Sequence, residues 1–387
     1  MEFKTALEYI EQHAVAMLST PGAGLLAVAV SSKEQGPITA TKDFSVTAYV
    51  EKKLAVKEIK NRNMQTFEQV FAHATGEKKP QPVDIDVVET GSAFALQPSP
   101  VFSVPTVQRG VYGGLPPIID SQKYFNPLCR GIGITNPDGS YPASLSVGTL
   151  GFFVRDSNNK VHLVSNNHVI GKSSDHSAVK SVLQNPIVQP GTLDLTAVEL
   201  ASMPTLTGLK NRLQIATVSG IVPLQFITAH NIPINRVDAA CALLDGPNSR
   251  TLTDLDRACF GGRILGTQTY QPDSNAPNTI LGDPRVYKVG RTTGYTEGII
   301  TAIAGTTSIN YPGGTAYFAG QLIVSATPNN VGPFSDRGDS GSGILNADHK
   351  LVGLLFAGST LQTLVNPIDD VLSELQAALG VAWLTEI

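Results

Sequence analysis

The 387-residue chain has little of what would staple it covalently or draw it to a charged partner. Only three cysteines occur, Cys129, Cys241 and Cys259. An odd, sparse set makes a poor disulfide framework and points to a reducing compartment, so a cytoplasmic location is expected. None of the three stands in a nucleophile motif, which argues against cysteine catalysis. Charge is scarce too: charged residues make up 16% of the chain and the net charge is −4. No basic field is large enough to select nucleic acid or an anionic membrane as the main partner. Long apolar runs are also missing. The stretch from Ala14 to Val30 is broken by Ser19-Thr20-Pro21-Gly22, which reads as a helix end and a turn, and it falls short of a comfortable membrane span. The start, Met1-Glu2-Phe3-Lys4 with Glu8 and Glu11 following, lacks the basic-then-apolar order of a signal peptide. No ligand cluster has zinc spacing, so neither a metal nor an organic cofactor is expected.

What is plentiful is turn chemistry, with 36 Gly and 25 Pro in a chain that is 42% apolar. That combination fits a globular protein of short strands joined by loops. Three parts can be read. Residues 1–96 suggest a small α/β domain with a packing or regulatory role. In it Ala6, Tyr9, Ile10 and His13 recur at helical spacing before Pro21-Gly22, Leu25–Ser31, Ser45–Val50 and Val83–Val88 read as strands, and a helix is expected around Thr66–Ala74. Residues 97–127 are rich in Pro, Ser and Gly and read as a linker or extended arm. Residues 128–387 carry many short apolar strands, the pattern of a β-barrel or sandwich. Ile368, Val371, Leu372, Leu375 and Leu379 then form one helical face after Asn366-Pro367, and Gly380 ends it.

The strongest chemical signal is Arg337-Gly338-Asp339-Ser340-Gly341-Ser342-Gly343. A serine hydroxyl is a weak nucleophile that must be positioned and activated. Glycines around it allow a tight path that turns successive amide N–H groups into one concavity. The backbone N–H groups of Gly338 and Ser340 are therefore assigned as an oxyanion hole. A general base must come from elsewhere. Among the seven histidines, His168 stands at the end of the alternating run Val161–Val164, just before the chain turns, where it can reach across a cleft. His162 alternates with apolar neighbours and reads as a strand-face residue. The third member would be a carboxylate that holds the imidazole tautomer. Asp238 starts an otherwise apolar strand, Val237-Asp238-Ala239-Ala240-Cys241, where a carboxylate is costly unless paired. Asp194 and Asp245, both in turn contexts, are the competitors.

The order His, Asp, Ser, in Asn-Asn-His-Val, Val-Asp-Ala-Ala and Gly-Asp-Ser-Gly, resembles the chymotrypsin-like serine peptidases. Lys288-Val289-Gly290-Arg291-Thr292-Thr293-Gly294 is similar to the Gly-x-Thr-Thr-Gly stretch of the bacterial streptogrisins. Within the class, Asp86-Val87-Val88-Glu89-Thr90-Gly91, Gly148-Thr149-Leu150-Gly151 and Val188-Gln189-Pro190-Gly191 look most like the plant Narrow-leaf trypsin-like proteins and their bacterial relatives. The resemblance implies a mainly β fold: a double antiparallel β-barrel with a C-terminal helix, preceded by the α/β domain. It implies a serine endopeptidase with catalytic His168, Asp238 and Ser340, acting on a protein or peptide. Phe334, Ser335, Asp336, Phe356, Ala357 and Gly358 would line the substrate cleft. The chain departs from the family at Ser342, where many members have glycine, and at Phe356-Ala357, where Ser-Trp is frequent. The competing expectation is a catalytically silent or self-processing scaffold that acts as a regulatory or interaction protein. The oligomeric state is left open, a homo-oligomer included.

Overall fold

The computed structural model describes residues 1–33, 37–38, 43–54, 58, 67–76, 85–90, 94–95, 122–124, 128–245, 264–273, 276–328, 330, 332–359, 361–382 and 384–387. Most of the 97–127 arm, and Cys259, lie outside the described residues.

Helix α1 (Phe3–Ser19) buries Phe3, Ala6, Ile10, Ala14 and Met17 on one stripe. It stops where Pro21-Gly22 cannot continue it, and Thr20 Oγ1 bonds back to Ala16 O at 2.7 Å. Strands β1 (Leu25–Ser32) and β2 (Phe44–Val50) follow. After them come α2 (Phe67–Thr75), β3 (Ile85–Glu89) and the two-residue β4 (Phe94–Ala95). All but β4 fall within one or two residues of the runs read from sequence.

The first large sheet contains β5 (Phe152–Asp156), β6 (Val161–Ser165), β7 (Pro186–Val188), β8 (Gln214–Ile221) and β9 (Ala240–Leu243). Their order is β5-β6-β9-β8-β7, antiparallel throughout. From the β7 edge, a bridge between Val188 and Thr135 leads to the pair Gly133–Ile134 with Gly148–Thr149, which runs on into β5 and closes the ring. Its filling is Phe153, Leu163, Ile187, Ile215, Val218 and Ala242, all buried.

The second body is built from β10 (Arg285–Gly290), β11 (Gly294–Tyr311), β12 (Gly314–Ala326), β13 (Gly343–Asn346), β14 (Leu351–Gly358) and β15 (Gln362–Pro367). Successive pairings β11-β10-β13-β14-β15-β12 return to β11, so six antiparallel strands close on themselves. Closure removes the unpaired edges that would invite aggregation. Helix α3 (Ile368–Leu379) follows, with Asp369 and Asp370 in its first turn, where the helix dipole favours them. Gly380, at φ +64°, supplies the left-handed residue that ends it. Val371 and Leu375 join Phe152, Val164, Leu345 and Leu354 in a core shared by both barrels. A last strand, β16 (Leu384–Glu386), pairs with β5. The architecture is mainly β, the chymotrypsin-like double antiparallel barrel with a C-terminal helix.

Among the described residues, the α/β segment at the start builds no sheet of its own. Strand β11 is long enough to pair β10 with its first half and β1 with residues Ala302–Thr307 of its second. Through β1 the sheet continues into β2 and, in parallel, β3. Phe3, Ile10 and Met17 of α1 accordingly share one core with Val286, Ile300, Val324 and Leu355 of the second barrel.

Candidate active site

His168 lies in a single π-helical turn, Asn167–Gly171, directly after β6. Asp238 sits just before β9, which pairs with β6 so that Ala240 faces Ser165. That pairing fixes the two side chains together. Nδ1 of His168 lies 2.6 Å from Oδ2 of Asp238, and the backbone N–H of His168 donates to Oδ1 at 3.1 Å. Both side chains are fully buried. A charge-assisted bond with a second anchor to the other oxygen sets the carboxylate plane and the ring together.

Both barrels hold Asp238. From the first, Asn166 Nδ2 donates to its carbonyl at 2.7 Å. From the second, Asn366 Oδ1 accepts its N–H at 3.0 Å, and Asn366 is itself held by Gln321 at 2.6 Å. Tyr311, the last residue of β11, donates its hydroxyl to Asp238 Oδ2 at 2.7 Å. Its ring centroid lies 5.9 Å from that of His168. Burial first, and then the Asp238 charge, push the Tyr311 hydroxyl well above the ordinary tyrosine range, so it stays a donor. The competitor Asp194 is engaged elsewhere, accepting from Arg291 Nε at 2.9 Å. The strand-face His162 is buried against Ser219 and Asp156.

Ser340 comes from the second barrel, in the turn before β13. Gly338 has φ +99°, and a side chain there would run into Thr292 Oγ1. Gly341, at φ +92°, lies against Ser165 Oγ and the Thr149 carbonyl, which leaves no room for a Cβ. These contacts explain the glycines of the motif and lock the turn to the first barrel. Thr149 N–H donates to Ser340 O, and Thr149 Oγ1 donates to Gly338 O, both at 2.8 Å. The Ser340 hydroxyl donates to Phe356 O at 3.4 Å. His168 Nε2 makes no hydrogen bond among the described residues. The serine–histidine bond is therefore unformed in this state. Catalytic hydrogen bonds are often long in unliganded enzymes and tighten with substrate.

Asp339 is buried beside the nucleophile and fully satisfied inside the chain. Its Oδ1 accepts the N–H groups of Thr292 and Thr293, at 2.8 and 3.1 Å, and its Oδ2 accepts Thr293 Oγ1 at 2.6 Å and Asp336 N–H at 3.0 Å. Lys288 Nζ lies 3.5 Å from Oδ2, with both side chains fully buried. Burial pulls the Lys288 ammonium below the ordinary lysine range, and Asp339 opposes that pull. Arg130-Gly131, where trimming would free the small apolar start Gly131-Ile132, is packed into the first barrel: Arg130 is buried, and Gly131 N–H donates to Leu150 O at 2.7 Å. Removing one partner of a buried pair strands the other charge. Lys288→Met is therefore expected to cost about 3–5 kcal/mol in chemical denaturation. An unchanged denaturation midpoint would show that the Thr292–Thr293 amides suffice for Asp339.

The residues expected to line a cleft are mostly interior. Phe334 packs in the second barrel's core with the Lys288 ammonium 5.7 Å from its ring centroid. Ser335 Oγ bonds Thr363 Oγ1 at 2.6 Å, and Phe356 packs against Phe318 with ring centroids 4.8 Å apart and planes tilted by 47°. Ala357 and Gly358 are buried, and of the six only Asp336 is partly exposed. Tyr311, Asn366 and Lys288 escaped the sequence reading. Only Lys288 left a local trace, as the charged residue at an inward position of Val286–Val289.

No family model and no curated protein matches the chain. Among solved structures it is similar to Thermobifida fusca Protease A, at 17% identity and TM-score 0.37, over 67% of this chain and 97% of that one. It is also similar to the Cellulomonas bogoriensis chymotrypsin (18%, TM-score 0.35, 67% and 97%) and to the active form of the Rv3671c protease of M. tuberculosis (14%, 0.33, 65% and 80%). The fold assignment rests on the chain's own strand order, and nothing in these comparisons supports the narrower likeness to the plant Narrow-leaf proteins.

Proposed function

We propose that the protein is a serine endopeptidase. The observation that carries this reading is the buried 2.6 Å His168–Asp238 pair on the barrel whose Thr149 bonds the Gly338–Gly341 turn that carries Ser340. In the reaction, Ser340 Oγ attacks a peptide carbonyl while His168 Nε2 takes its proton. The N–H groups of Gly338 and Ser340 hold the oxyanion. His168 then gives the proton to the leaving amine, and water, activated by the same nitrogen, hydrolyses the acyl-enzyme. Asp238 keeps the resting proton on Nδ1 and stabilises the imidazolium. The cytoplasmic location belongs to the same proposal and rests on the three sparse cysteines of the sequence.

The direct test is reaction with a fluorophosphonate probe, followed by mass mapping of the adduct, with a peptide library to read cleavage. Labelling confined to Ser340 and lost in Ser340→Ala is expected. A chain that neither labels nor cleaves any library peptide would instead be a silent scaffold.

Tyr311 acts through Asp238 rather than on substrate. Tyr311→Phe removes a hydrogen bond to a buried carboxylate, an interaction worth about 1.5–3 kcal/mol, so kcat/KM is expected to fall ~10–100-fold. Because Tyr311 touches Asp238 and not substrate, the loss is expected in kcat with KM kept. A rise in KM instead, or a loss of stability that matches the loss of rate, would assign Tyr311 a packing role only.

A further inference from the structure

The second half of β14 has a free side. Strand β13 covers β14 at Leu351–Leu354, and Ser342 O and Gly341 N–H bond the same edge at Leu355 before the chain turns away. From there to Gly358 one edge of β14 is paired by β15, and the other faces the nucleophile, whose hydroxyl touches Phe356 O. An unpaired strand edge is a template for an extended backbone. Here the edge is filled. Strand β4 lies antiparallel on it, with Ala95 opposite Ala357 and Phe94 opposite Gly358. The direction matters: β4 runs from Gly358 toward Phe356, which is toward Ser340. An extended peptide brings each next residue about 3.3 Å further along. A substrate laid on this edge in the same direction would deliver its next carbonyl to the serine.

We propose that the chain's own Phe94–Ala95 regulates the site by lying on the edge of β14 where an extended substrate would pair. The segment is a tethered competitor for the substrate backbone. This rests on the reading of Ser340 as nucleophile. The occupancy accounts for one finding of the site: Ala357 and Gly358 are buried where a cleft was expected. Two residues form a short ladder, so a substrate pairing over a longer stretch displaces it. A tethered segment acts at an effective concentration on the order of mM, enough for even a weak strand to raise the apparent KM ~10-fold.

Two measurements on the full chain test this. The first needs no activity. Residues directly opposite in an antiparallel pair have Cα atoms about 4.5–5.5 Å apart, within reach of a disulfide. The variant Ala95→Cys/Ala357→Cys, treated with oxidised glutathione, is expected to lose two thiols with no change of oligomeric mass. Failure to cross-link, with far-UV and near-UV spectra unchanged, overturns the docking. The second is Phe94→Pro/Ala95→Pro, which removes both backbone donors of β4. Its KM for an extended peptide amide is expected to fall ~10-fold with kcat kept. Equal KM values overturn the competition. If neither protein reacts with a fluorophosphonate, the serine reading fails, and the cross-link alone decides whether the edge is held.

Discussion

Ser340→Ala is expected to lower turnover by about 10⁶-fold, and His168→Ala by about as much, because the members of a triad act as one unit. Ser340 is 1% exposed, on a turn pinned by Thr149 through two backbone carbonyls. Those pins do not involve its hydroxyl. The hydroxyl's bond to Phe356 O is long at 3.4 Å, so alanine is expected to cost no more than about 1 kcal/mol of stability. The variant should therefore melt like the parent and bind substrate like it. Steady-state hydrolysis, thermal melting and substrate affinity on the same preparation separate a lost nucleophile from a lost fold. Retention of more than about 1% of turnover would place the nucleophile elsewhere.

What could be seen in the sequence divides by how far apart the partners lie. Gly338–Gly341 and His168 are local signals. Each element carries its own reason: a turn that excludes side chains, and a histidine where an alternating strand stops. Asp238 was legible because a carboxylate at the start of Ala240–Leu243 is costly without a partner. Its other partners were not, since Tyr311 and Asn366 lie 73 and 128 residues further on and meet it only when the barrels close. The N-terminal strands were likewise visible as elements, but their place in the second barrel's sheet depends on the surplus length of β11, which no local pattern announces. The cleft residues came from likeness rather than from physics. The structure places Phe334 and Phe356 in cores because both are large apolar side chains on inward-facing positions.

Asp238→Asn is expected to cost on the order of 10⁴ in kcat while the fold survives. The geometry says which way the new amide must turn. Oδ1 accepts the His168 backbone N–H at 3.1 Å, a donor that cannot reverse its role, so the asparagine oxygen has to stay there. The NH₂ group then occupies the place of Oδ2, facing His168 Nδ1 and the Tyr311 hydroxyl. The tyrosine can rotate its hydrogen and accept. The imidazole can accept only by giving up the proton on Nδ1 and carrying it on Nε2. That nitrogen can no longer take the Ser340 proton, so the nucleophile stays a neutral hydroxyl. Asn has the volume of Asp, so the packing survives, but the Tyr311 hydrogen loses its acceptor and Nε2 gains a proton, so a loss of about 1–3 kcal/mol without unfolding is expected. The ¹⁵N shifts of His168 should report a proton on Nε2 in the variant and on Nδ1 in the parent. Asp194→Asn is the control. It weakens the ion pair with Arg291 but leaves the His168 tautomer and kcat near the parent's. If Asp194→Asn is the damaging change and Asp238→Asn is silent, the carboxylate that orients His168 is not Asp238.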